Sequence, residues 1–285
     1  MRIALCYRWR HGRWPDLEGA PRFTEMVQRR KLFDRDPRQS VLMDKLAAKA
    51  EVAAALGPEW TVPTAWSGHF LPDDPPFGFP AIVKARHGCN QYRVLREPPS
   101  DRAWADLQKL GAHWMSKAYG HWLDEWAYRD TPRGLLAEPL LPSESALPVD
   151  YKIYVFGGQA THVQVHLDRA ADHRWVVHDR DWTQLVAAGD TPPPPRSLLA
   201  MLDAAEALAT GQDFLRVDFY EVAGRPLFGE FCLYPGSGLD PFATDWIDFE
   251  LGALWHAAER RPLCAAQDSI DFSPVPAHLA AIEAR

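Results

Sequence analysis

The chain has 285 residues, 47% of them hydrophobic, and a net charge of −7 at pH 7. That length can bury a sizeable core in one large or two closely joined domains, while the acidic balance argues against a general nucleic-acid binder, which needs clustered lysine and arginine. No run of about 18 apolar residues offers a membrane span, the basic start MRIALCYRWRHGRW lacks a secretory core, and the four cysteines stand apart without a CxxC pair, so a cytoplasmic protein with neither zinc knuckle nor disulfide framework is expected.

Residues 1–39 are Arg-rich and interrupted by Pro15, Pro21 and Pro37, which predicts a surface-wrapping lead-in with one short helix from Phe23 to Phe33. From Ser40 to Leu56, the residues Leu42, Leu46, Ala53 and Leu56 share one helical face, with Ser40 as N-cap and Gly57-Pro58 as the stop. Trp60 to Trp66 reads as a strand. A proline-rich connection then leads to a short apolar strand, Ala81 to Ala85, with Lys84 near its end. The following turn, Arg86-His87-Gly88-Cys89-Asn90-Gln91, leads into Tyr92 to Leu95 as a second hairpin. Its backbone N–H groups and the Lys84 charge can hold phosphate, although a surface lysine before a turn fits the same pattern.

A helix from Ser100 to about His113 follows, and Leu135 to Leu141 reads as a buried strand with one acid, Glu138. Strands opened by Asp150-Tyr151-Lys152, from Thr161 to Leu167 and from Trp175 to Val177 make residues 80–180 mainly antiparallel sheet. His162 and His166 on such a strand are about 13 Å apart, too far for one zinc ion, and read as half-buried polar residues. Thr191 to Pro195 is a rigid linker into a helix from Ser197 to Thr210, and Ile247, Leu251, Leu254 and Ala258 mark a final long helix.

Between those helices, Phe214 to Tyr220 and Pro226 to Phe231 read as a hairpin turning at Gly224. Each strand carries one acid, Asp218 and Glu230. Two carboxylates converging beside Arg216 would suit magnesium on a nucleotide phosphate, and two solvent-facing acids of an ordinary hairpin fit the stretch equally.

Taken in order, these features resemble the ATP-grasp superfamily. The stretches SVLMDKLAAKAEVAAALG, IVKARHG, EWAYRDTPRGLLAEPLL, VDYKIYVFGG, Asp181-Trp182, FLRVDFYEV and FGEFCLYPGSG are most similar to its TupA-like family, associated with cell-surface polysaccharide and teichuronopeptide synthesis. The resemblance implies an α+β ATP-grasp fold: two lobes with antiparallel sheets clasping ATP, and a truncated N-terminal region. The implied division is residues 1–66 as a helical lead-in, 67–141 as the small lobe and 142–285 as the large, metal-binding lobe. Lys84 and Lys152 would contact the phosphates, His87 and Gly88 would belong to a mobile lid, Glu138 with the backbone of Leu140 and Leu141 would meet adenine, and Asp150 would hold the ribose. Asp218 and Glu230 would ligate one or two magnesium ions, or manganese in their place. Arg216 and Arg169, with Lys152, would stabilise an acyl phosphate, though either arginine also fits a structural ion pair. The turn Pro235, Gly236, Ser237, Gly238, with its clustered N–H groups, is expected to bind a substrate carboxylate or phosphate.

The reaction so implied is an ATP-dependent carboxylate–amine ligation through an acyl phosphate, with small-molecule substrates. An ATP-grasp kinase acting on a hydroxyl is compatible with the same residues. Two DxD triplets, Asp34-Arg35-Asp36 and Asp179-Arg180-Asp181, raise a nucleotide-sugar glycosyltransferase as a weaker alternative, because such triplets arise easily by chance. No heptad specifies an oligomeric state.

Overall fold

The computed structural model describes residues 1–142, 148–167, 174–186 and 192–260. Seven α-helices among them are α1 (Arg2–His11), α2 (Phe23–Phe33), α3 (Arg38–Leu42), α4 (Lys45–Leu56), α5 (Asp101–Ser116), α6 (Leu198–Leu208) and α7 (Asp245–Arg260). The smaller of two sheets holds β1 (Trp66–Gly68), β2 (Ala81–Ala85), β3 (Tyr92–Leu95) and β4 (Leu135–Pro139) in the order β1-β4-β2-β3. The larger holds β5 (Asp150–Phe156), β6 (Gln159–Leu167), β7 (Arg174–Asp179), β8 (Gln184–Val186), β9 (Phe214–Val222) and β10 (Arg225–Cys232), ordered β10-β9-β5-β6-β7-β8. Every strand pairing is antiparallel, as expected for the α+β class.

Period-two alternation sorts the small sheet into two faces. Ala81, Val83 and Ala85 of β2 are buried with Leu135 and Ala137 of β4 against Trp104, Leu107 and Trp114 of α5, which leaves Ile82 and Lys84 facing the other way. The Ser100 hydroxyl starts α5 by accepting the Ala103 N–H.

The large sheet is closed at one end by residues from both ends of the described chain. Phe23 of α2 is fully buried, with its ring 5.1 Å from Phe214, 5.6 Å from Tyr154 and 5.4 Å from Trp255 of α7. Asp248 of α7 accepts both the backbone N–H and the hydroxyl of Thr24 at 2.9 Å. The helix expected at Phe23 to Phe33 is present, but the stretch is core rather than a surface wrap; truncating a ring such as Phe23 costs about 3–5 kcal/mol. Helix α1 was not legible, since Ile3 and Tyr7 are its sole buried residues and two positions spaced i,i+4 do not make a stripe.

Two further expectations are corrected. Residues 40–56 form not one helix but two: Asp44, not Ser40, caps α4 by accepting the Leu46 N–H at 3.0 Å, while Arg86 grips the same carboxylate through two bonds of 2.6 Å. A buried aspartate held from outside the helix stops α3 and starts α4, and the buried positions of α4 are Ala48 and Val52. Trp60 to Trp66 is no strand; it begins in a 3-10 turn, touches the large sheet through one Thr61–Phe228 bridge and joins β1 only at Trp66.

Candidate active site

The hairpin of β9 and β10 turns at Ala223-Gly224, whose positive φ angles of 52° and 75° suit the right-handed twist of the strands. A bulge between Phe228 and Glu230 then shifts the register, so that Glu230 stands directly opposite Asp218. Gly229 sits in that bulge, where a β-carbon would lie 3.1 Å from the Asp218 carbonyl oxygen and 3.2 Å from the Tyr220 ring. On its other side Asp218 pairs with Lys152 of β5. Three adjacent strands therefore set Lys152, Asp218 and Glu230 in one row, and the neighbouring row on the same face is Tyr154, Arg216 and Cys232.

This row is a charge cluster at the floor of a cleft. The Lys152 ammonium lies 2.5 Å from Asp218 and 2.7 Å from Asp150, and Arg216 binds Asp218 through Nε at 2.7 Å and Nη2 at 2.8 Å. Burial alone would favour neutral forms, but the opposing charges win: Lys152 and Arg216 are held above their ordinary pKa values and Asp218 below its own. Glu230 is the open member, its side chain one-third exposed (33%) with the Lys45 ammonium 3.9 Å away.

The small sheet supplies the opposite wall. Glu138 of β4 is buried and accepts Lys84 at 2.6 Å and Lys49 at 2.7 Å. Burial opposes the charge on Glu138, and the two ammonium groups overcome it to depress its pKa; Lys84 is raised in return, while for Lys49 burial prevails and its pKa falls. The cleft contains about 1030 Å³ of empty space open to solvent, lined among others by Ile82, Asn90, Tyr220 and Phe228 with these charges. Its walls are apolar in part and carry both signs of charge, with Lys45, Lys49 and Lys84 beside Glu138, Asp150, Asp218 and Glu230, and its size is that of a small-molecule site.

Of the residues singled out from the sequence, Lys84, Gly88, Glu138, Leu140, Leu141, Asp150, Asp218 and Glu230 line this cleft, and Lys152 is joined to it through Asp150 and Asp218. The others are placed elsewhere. The His87 imidazole is buried, with Nε2 3.1 Å from the Trp114 carbonyl oxygen and Nδ1 accepting the Gly134 N–H, so it braces the turn from behind. Burial lowers its pKa. The Leu140 N–H is already given to the Pro80 carbonyl. Pro235–Gly238 folds into a tight turn in which Gly236, Ser237 and Gly238 all take positive φ, and its carbonyls face α2: Gln28 donates to Ser237 and Gly238, and Lys31 to Ser237. Arg169 lies outside the described residues.

Lys45 and Lys49 line the cleft although the sequence reading passed over them. Their spacing of one helical turn is a usable signal, obscured because the apolar residues of the stretch suggested a different buried face. The DxD triplets are turn-formers outside the cleft: Asp34 accepts the Asp36 N–H, and Asp179 accepts the N–H groups of Asp181 and Thr183.

The sequence matches the family model described as TupA-like ATPgrasp over residues 25–256. The chain belongs to the TupA-like ATP-grasp family. No curated protein sequence matches it. Among solved structures, the TupA-like chain is similar to an L-amino acid ligase from Bacillus licheniformis at 12% identity and a TM-score of 0.52, covering 86% of this chain and 57% of that one. A D-alanine–D-alanine ligase from Bacillus anthracis (13% identity, TM-score 0.47, 77% of this chain and 66% of that one) is more distant. So is an ATP-grasp ligase, PsnB, solved with precursor variant, Mg and ADP (15%, 0.43, 83% and 65%). The chain thus spans less than two thirds of the length of each. The fold is that of ATP-grasp ligases. No helix among the described residues is long and apolar enough to cross a membrane.

Proposed function

We propose that the chain is an ATP- and magnesium-dependent ligase that activates a carboxylate as its acyl phosphate and joins it to an amine. The observation carrying this reading is the Lys152–Asp218–Glu230 row facing Lys84 and Lys49 across the cleft. Its donors fit magnesium, which is held by one or two carboxylates and takes its other oxygens from phosphate and water. Cys232 does not compete, because burial pushes its thiol pKa up to about 12 and leaves it a neutral, soft group.

Asp218 and Glu230 would hold the ion, which when bound neutralises charge on the phosphate oxygens. Lys84 and Lys152 place positive charge where negative charge grows as the terminal phosphoryl group leaves. Glu138 keeps Lys84 and Lys49 oriented before a nucleotide arrives, and Asp150 does the same for Lys152. The Leu141 N–H and nearby carbonyls serve the adenine, Asp150 the ribose, and Gly88 the phosphate lid. Arg216 stands behind Asp218 and fixes its carboxylate through a bidentate pair, a positioning role. The reaction's setting in cell-surface polysaccharide or peptide modification is suggested by the family resemblance.

ADP release measured with combinations of carboxylates and amines tests the reading. A ligase needs both partners, whereas release with a hydroxyl acceptor alone indicates a kinase. Calorimetry showing no ATP binding at millimolar magnesium would remove the nucleotide site altogether.

A further inference from the structure

A second cavity, with about 930 Å³ of empty space, lies where α1, the end of α2 and residues 118–129 meet. Tyr119 joins it to the nucleotide cleft. This residue lines the cavity, and a β-carbon on Gly88, which lines the cleft, would meet the Tyr119 ring at 2.9 Å. The ring also packs 4.8 Å from that of Tyr128, whose hydroxyl lies 2.9 Å from the Cys89 sulfur at the same turn.

The cavity's charges are unevenly matched. Arg2 is paired with Asp124, and Arg129 with Asp130 at 3.1 Å. Lys31 in the floor, 2% exposed, and Arg35 at the rim have no carboxylate within 4 Å among the described residues. The Lys31 ammonium instead meets neutral oxygens, the carbonyl and hydroxyl of Ser237 at 2.6 Å and Gln28 Oε1 at 3.3 Å. Its direct partners are all neutral, and the Glu125 carboxylate acts on it from beyond the Ser237 hydroxyl rather than by contact, so the buried charge is matched only indirectly. Burial lowers its pKa to about 8, so the ammonium remains mostly protonated at neutral pH. Burial raises the pKa of Glu125, the acid in the floor, against the opposing effects of the Lys31 charge and of its hydrogen bond with the Ser237 hydroxyl. The Arg35 guanidinium lies 5.4 Å from the centre of the Trp126 ring and donates through Nη1 to the Lys31 and Asp34 carbonyls, which leaves its Nε–Nη2 edge as the fork, and the buried Trp126 indole N–H has no hydrogen-bond acceptor. A cation, a guanidinium fork and an unused donor beside aromatic rings match a carboxylate on a ring or short chain.

We infer that this cavity is a second subsite, in which Lys31 and Arg35 anchor a carboxylate of the co-substrate other than the one activated, while the remainder of that molecule passes Tyr119 toward Gly88. Its identification as a co-substrate site rests on the ligase reading; its capacity to bind a carboxylate does not. Sugar acids and acidic amino acids share this chemistry, and separate probes distinguish them.

The test titrates the nucleotide-free protein with sodium glucuronate and with L-glutamate, to roughly 50 mM at constant ionic strength, following binding by calorimetry and tryptophan fluorescence. At least one probe is expected to saturate. Arg35→Gln and Lys31→Met should each weaken it about tenfold or more, with MgATP affinity within about twofold of wild type. Arg35 is exposed, so its variant keeps the test valid even if Lys31→Met unfolds the turn at Ser237. Absence of saturable binding by either probe, or binding that Arg35→Gln leaves unchanged, would overturn the subsite while leaving the nucleotide site to its own titration. Probe binding by a protein that fails to bind MgATP would instead retain the carboxylate site and remove its link to ligation.

Discussion

Asp218→Asn is the substitution with the most sharply defined consequence. Asp218 is the shared partner of two buried cations: in the variant Lys152 retains Asp150, whereas Arg216 loses its opposite charge and one of the two acceptor oxygens of its bidentate pair. Breaking one side of a buried pair costs about 3–5 kcal/mol, mostly for the charge left behind. The variant should therefore lose stability as well as turnover, which separates this network from a metal ligand that is free before the ion arrives. Urea unfolding of the nucleotide-free protein measures it, and Asp218→Asn/Lys152→Met should recover part of the loss because an anion and a cation leave together. Since the folded pKa of Asp218 lies below the unfolded value of 3.8, its contribution is fully present above that value and fades as pH falls through the folded one. The gap between wild type and variant should accordingly be full at neutral pH and narrow only below about pH 4. A loss smaller than about 1 kcal/mol, the range of a surface ion pair, would refute the reasoning.

Glu230→Gln should abolish magnesium-dependent ADP release with little change in the unfolding midpoint, because Glu230 is one-third exposed; Cys232→Ser should be tolerated and Cys232→Asn should lower the magnesium needed for half-maximal release. Gly229→Ala should cost about 1–3 kcal/mol and raise the magnesium requirement, since the new methyl group presses on Asp218 and disturbs its alignment with Glu230; unchanged magnesium dependence would discount the bulge. Lys49→Ala should weaken MgATP binding about tenfold by calorimetry, as removal of one charged contact does. Burial lowers the pKa of His162 from 6.5 to about 4, so the unfolded chain takes up its proton first and stability should fall as the solution is acidified across that window, by up to about 3 kcal/mol. His162→Gln should flatten that part of a pH–stability profile.

The hairpin was legible because its signals are local: two apolar runs, a glycine turn and one acid in each strand. The register that brings Asp218 opposite Glu230 was not, because the bulge at Gly229 depends on the Asp218 backbone and Tyr220 ring across the ladder. The strand with Lys84 was read correctly as a short apolar run after a proline-rich connection, yet its partner Glu138 is 54 positions away. The break at Asp44 was missed since its cause, Arg86, comes from another hairpin. The turn Pro235–Gly238 was singled out by the family resemblance and its clustered N–H groups, but no local feature shows that α2 would occupy its carbonyls.

The packing of α2 against α7 also constrains the order in which the protein can be made. The bond between Thr24 and Asp248 joins residues 224 positions apart. At about 5–20 residues per second, roughly 10–45 s separates synthesis of its two ends. From the completion of β4 at Pro139 until α7 is made, Phe23 and its neighbours are without the surface that buries them, while the small sheet and α5 already have all their strands and core residues. The small sheet and α5 are thus free to fold before the large sheet is complete, and the nascent α2 is the segment that most needs shielding until α7 emerges.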